Sequence, residues 1–188
     1  MFDLESASDE PDVRSRPVEP LQIATLEAPR RPAPPKRPRV APHDPAIRVM
    51  TDFSMQNPVL VSAERLIDEA LRDMMVAGVR ALLVIRADRV IGLITSYDIQ
   101  GERPLQFLNN AGFTRHDEIQ VGHIMTPWER MPTLDWEAVR TACVQDIAEH
   151  FGAQRAPTHI VVLERAEHGG TIVRGLFSRT QLERQLTA

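Results

Sequence analysis

The chain has 188 residues, a hydrophobic share of 43% and a formal net charge of −4, enough for one medium-sized core but no global attraction to nucleic acid or an anionic membrane. Its single cysteine, Cys143, rules out an internal disulfide, and its longest apolar run, Ala81 to Ile85, falls far short of the roughly 20 residues that span a bilayer. Residues 1–20 lack the apolar stretch of a signal peptide, so the expectation is a cytoplasmic protein with no membrane partner.

In chain order, residues 1–46 come first, with ten of the fifteen prolines and almost no periodic apolar pattern. Such a segment buries too little surface to offset the entropy of ordering, and a disordered tail is expected. It runs from an acidic start, Asp3 to Asp12, to the basic RRPAPPKRPR at Arg30 to Arg39, which favours polyproline II conformation. Two readings stand for it, a docking segment and a solvated linker; nucleic acid is not expected as a partner.

The remainder repeats itself. Met50-Thr51 recurs as Met125-Thr126, Pro58-Val59-Leu60 as Pro132-Thr133-Leu134, and Gly78-Val79-Arg80-Ala81 as Ala153-Gln154-Arg155-Ala156. Val90 to Thr95 recurs as Val173 to Ser178, after extra residues that include the pair Gly169-Gly170 and signal a longer turn. Each copy opens on a short apolar stretch, Val59 to Val61 or Met131 to Leu134. An amphipathic helix follows in each. Its stripe is Leu66, Ile67, Ala70, Leu71, Met74 and Met75 in the first copy. In the second it is Val139, Cys143, Val144, Ile147, Ala148 and Phe151, with Cys143 as a buried small hydrophobe. Gly78 and Gly152 are placed to end these helices. Buried strands follow at 81–85 and 159–163, a turn and second strands at 90–95 and 173–178, and then a helix start. Trp128 and Trp136 flank the start of the second copy, in its core or at a dimer contact. A unit of this size is too small to stand alone, so two copies should pack sheet to sheet.

No metal-ligand spacing, P-loop, GxGxxG or nucleophile elbow occurs, and no enzyme is expected. His116-Asp117-Glu118 reads as a solvated loop.

With its opening Val49-Met50-Thr51 and His123-Ile124-Met125-Thr126-Pro127 and its closing Gly92-Leu93-Ile94-Thr95-Ser96-Tyr97-Asp98-Ile99, the chain resembles a tandem pair of cystathionine-β-synthase (CBS) domains, a Bateman module. The resemblance implies an α/β (α+β) fold of two strand-helix-strand-strand-helix motifs in a pseudo-twofold pair. The first motif would span 47–105, a connecting segment 106–122, and the second motif 123–188. It further implies a homodimer that regulates a protein partner, with no cofactor but an adenine nucleotide ligand (AMP, ADP, ATP or S-adenosylmethionine) between the motifs. The alternative is a ligand-free dimerisation scaffold acting through the tail.

By the same resemblance, Asp98 accepts from a ribose diol, Thr95 holds a phosphate at a helix start, and Arg80 supplies counter-charge. Thr-x-x-Asp is equally a helix capping box that needs no ligand. The second cleft would use Ser178, Gln181, Arg155 and His159. There Gln181 keeps the box but lacks the carboxylate, Arg155 reads also as a surface arginine, and His159 also as a satisfied edge histidine.

Overall fold

The computed structural model describes residues 39–111, 115–152, 157–166 and 169–186; the expected tail through residue 38, and Arg155, lie outside them. The first half supplies β1 (Thr51–Asp52), β2 (Leu60–Ser62), α1 (Ile67–Ala77), β3 (Ala81–Arg86), β4 (Arg89–Thr95), α2 (Ser96–Gln100) and α3 (Arg103–Ala111). The second half supplies α4 (Val121–Ile124), β5 (Thr126–Pro127), β6 (Thr133–Asp135), α5 (Trp136–Thr141), α6 (Val144–Gly152), β7 (His159–Arg165), β8 (Thr171–Ser178) and α7 (Arg179–Leu186). The mixed α/β order expected from the repeat is present in both halves.

Gly78 ends α1 in the left-handed conformation at φ 67°, its N–H returning to the Met74 and Met75 carbonyls, a conformation a Cβ disfavours. The apolar stripe of α1 is narrower than expected. Ile67, Ala70 and Met74 are buried, but Met75 is 74% exposed.

The second helix is not continuous: α5 and α6 are separated by Ala142 and Cys143. A segment from ahead of the first copy causes the break. Ala46 N–H donates to the Ala142 carbonyl, and Val144 and Gln145 donate to the carbonyls of Asp44 and Pro42. The Cys143 N–H is taken by the Asp146 carboxylate at 2.8 Å. Cys143 is therefore half-buried at the helix break, bridged to Pro45, rather than a core residue of a helical stripe. Within residues 39–46, assigned to the tail from sequence, Val40 is 7% exposed and Ala46 fully buried.

The described residues form two four-stranded sheets, β2-β3-β4-β5 and β1-β8-β7-β6. Within each, a helical connection makes a parallel pair (β2 with β3, β6 with β7) and a hairpin makes an antiparallel one. The fourth strand of each sheet comes from the other copy. β1 pairs with β8, Asp52 opposite Gly175, and β5 pairs with β4, Pro127 opposite Gly92. A Cβ on Gly92 would lie 2.4 Å from the Thr126 carbonyl, and one on Gly175 would lie 2.7 Å from the Thr51 carbonyl. The glycine in each repeated V-x-G stretch thus makes room for the repeated Met-Thr segment of the other copy.

The exchange extends into the cores. Val40, Ala46, Val49 and Met50 join a cluster with Val139, Val144, Ile147, Phe151, Ile160, Val162, Phe177 and Leu182. Ile119, Val121 and Ile124 join the cluster of the first half around Ile67, Met74, Leu82, Val84 and Ile94. Strand alternation then places Leu83, Leu93, Val161 and Leu176 on the sheet faces turned away from these helices, where all four are buried. That is the burial expected of two sheets packed face to face.

Candidate ligand cleft between the motifs

Where β4 passes into α2, Thr95 is the N-cap and its Oγ1 accepts the Asp98 N–H at 3.2 Å. Asp98 Oδ2 in turn accepts the Thr95 N–H and hydroxyl, both at 2.8 Å. The capping box anticipated from sequence is formed, satisfying donors a helix start leaves free. The carboxylate has a second oxygen to spend. Oδ1 receives Arg103 Nη1 at 3.0 Å, with the Asp98 side chain 13% exposed and that of Arg103 42%. At that exposure, solvent screening holds the ion pair to about 1 kcal/mol or less.

Thr95 and Asp98 line a cavity of about 890 Å³ whose other walls include Leu93, Phe107, Met125, Pro132 and His159. Thr95 is 4% exposed and His159 7%. Burial holds the His159 imidazole down to about 4, opposed by the attraction of Asp98, so the ring is neutral at pH 7. Its Nδ1 lies 3.1 Å from Thr158 Oγ1. Phe107 and His123 stack at 4.6 Å between centroids, and both line the same cavity. Among the described residues, the cavity walls carry two arginines, Arg103 and Arg130, and one carboxylate, Asp98.

The other sequence-derived candidates do not gather there. Arg80 is exposed and is not part of the cavity lining; its backbone carbonyl accepts the Ser96 N–H. His159, assigned to the second cleft, belongs instead to the Thr95–Asp98 cavity, because β7 presents it toward Asp98. Gln181 does not close a box with Ser178. Its amide donates to the Val49 carbonyl at 3.2 Å and fastens α7 to the exchanged segment. The first residue of that helix, Arg179, holds two buried guanidinium nitrogens without a hydrogen-bond partner and stands 5.8 Å from the Phe151 ring. Trp136 lies 4.2 Å beneath the Arg174 guanidinium, which also pairs with Asp52 and Glu164; of the two expected placements, this tryptophan takes the core one. His116, expected in a solvated loop, sits with Asp117 and Glu118 in an exposed 3-10 turn. Among the described residues no group of three His, Cys, Asp or Glu side chains is placed to hold a metal. No described helix is long and apolar enough to cross a membrane.

Residues 47–103 match the family model of the CBS domain. Over those residues the chain is similar to a CBS domain. Several solved structures share its fold. A conserved protein from Pyrococcus horikoshii aligns at 22% identity and TM-score 0.52 over 77% of this chain and 92% of its own. A hemolysin-like protein containing a CBS domain, from Oenococcus oeni PSU, aligns at 20% and 0.51 over 78% and 93%. A protein with CBS domains from Burkholderia ambifaria MC40-6 aligns at 19% and 0.50 over 69% and 82%. No curated protein sequence matches the chain significantly. The cavity residues that sequence reasoning missed include Arg103, Phe107, His123 and Arg130. Only one sequence signal bore on them: Phe107 lies at the start of the polar connection between the copies and His123 directly after it, a connection that reads as a linker until its ends fold back.

Proposed function

We propose that this protein is a regulatory CBS pair that binds an adenosine-containing nucleotide in the Thr95–Asp98 cleft and thereby alters its docking to a protein partner. The observation that carries the reading is the partly buried carboxylate of Asp98, fixed by its capping box at the edge of a cavity large enough for a nucleotide. A fixed carboxylate is suited to a ribose diol, because both hydroxyls donate to it with charge assistance. Leu93, Met125 and Pro132 offer apolar walls to a purine, and Arg103 and Arg130 favour an anionic group. S-adenosylmethionine, a cation, suits that surplus of positive charge less well than AMP, ADP or ATP. Binding rather than turnover is the activity proposed for the cleft.

Isothermal titration with AMP, ADP, ATP and S-adenosylmethionine tests this directly. Adenine nucleotides should bind, and Asp98→Asn, which keeps a capping oxygen, should weaken them by about tenfold, the worth of one charge-assisted bond. No heat from any of the four overturns the reading. One observation favours the second reading, a ligand-free scaffold working through the N-terminal segment: both Asp98 oxygens already have partners within the chain. For that reading, removal of residues 1–38 abolishes partner capture while nucleotides leave it unchanged.

A further inference from the structure

Arg103 stands at the start of α3, outside every motif that marked the cleft in the sequence. Its Nη1 touches three acceptors at once: Asp98 Oδ1 at 3.0 Å, the Ile124 carbonyl at 2.8 Å and Thr126 Oγ1 at 3.1 Å. The guanidinium therefore occupies the one oxygen of Asp98 that the capping box leaves over, and does so from within the cavity wall. A ribose diol that takes Asp98 has to compete with this cation.

We propose that Arg103 makes the cleft selective for phosphorylated nucleosides over the nucleosides themselves; the inference rests on the nucleotide reading above. A neutral nucleoside that displaces Nη1 breaks an ion pair and gives the guanidinium nothing in return. A nucleotide brings its own anion. The displaced fork can turn to the phosphate and form paired N–H to oxygen bonds, which a planar guanidinium does better than a point charge. The side chain is 42% exposed, so it has room to reorient. The competition and the compensation both run through one residue, and removing it has opposite effects on the two ligand classes.

The experiment is titration of wild type and Arg103→Gln with AMP and with adenosine, folding being checked by circular dichroism. Wild type should prefer AMP. In the variant, AMP should weaken by about tenfold and adenosine should tighten severalfold, the sizes expected for making or breaking one charge-assisted hydrogen bond. A merely structural arginine moves both affinities the same way. If Arg103→Gln does not fold, Arg103→Lys carries the comparison, keeping the preference for AMP at reduced strength. Equal affinity of wild type for AMP and adenosine, or parallel weakening of both in the variant, overturns the selectivity and leaves the nucleoside cleft standing. Absence of binding by either compound to wild type overturns the cleft reading and the selectivity with it.

Discussion

His159 is a titratable ring placed where water barely reaches, 7% exposed at the start of β7. Its folded pKa of about 4 lies below the ordinary 6.5, so the neutral form is the one the fold favours. The stabilisation is full above pH 6.5 and is lost as pH falls from there through 4. The shift corresponds to about 3 kcal/mol. Urea unfolding of wild type and His159→Gln between pH 7 and 4 should show wild type losing more stability by that amount; equal losses would refute the assignment. The same scale shows why sequence placed His159 in the wrong cleft. The repeat gives its position along a strand, but which cavity a strand end meets depends on how the two sheets face one another. Thr95 and Asp98 were legible because their partnership is local, three residues apart. Arg103 was not, since its three acceptors are gathered from α2 and from the opening of the other motif.

Elements show the same division. The hairpin between β3 and β4 turns on Ala87 and Asp88 with φ 47° and 60°, a conformation that costs an L-residue about 1 kcal/mol. Replacing the pair with Asn-Gly, the residues this turn prefers, should raise stability by about 0.5–1 kcal/mol, read as a higher urea midpoint at unchanged slope. The exchanged strands give a stronger dependence. Gly92→Ala and Gly175→Ala each put a methyl into a carbonyl of the incoming strand, with overpacking expected to cost about 1–3 kcal/mol. Gly152→Ala, at a position where a Cβ meets nothing within 4 Å, serves as the comparison and should cost far less. The strands and α1 were readable from period and punctuation. The break at Ala142 was not, because the residues on both sides keep helical spacing while the backbone partners that interrupt them come from 42–46.

For the whole molecule the exchange means that neither motif is a folding unit. Residues 39–111 alone would lack β5, leave β1 without β8, and expose the side of the core that Ile119, Val121 and Ile124 close. That fragment should unfold without a cooperative transition, whereas the full chain should give one; a sigmoidal melt from the fragment would contradict the account. At the other end, removal of residues 1–46 should leave a protein less stable than removal of 1–38 alone. The difference is the burial of Val40 and Ala46, with the backbone bonds of 42–46, and amounts to about 2–3 kcal/mol by urea midpoint.

The sequence by itself determined the duplication, the strand and helix order of each copy, and the Thr95–Asp98 cap. All of these follow from neighbours along the chain, where side-chain period and local hydrogen bonding decide the outcome. Tertiary structure alone decided that each copy lends its opening strand to the other, that 39–46 belongs to the second core, and that Arg103 and His159 meet Asp98 in one cavity. Those contacts join residues far apart in the chain, and no local period or spacing encodes a partner that arrives only when two sheets close on each other.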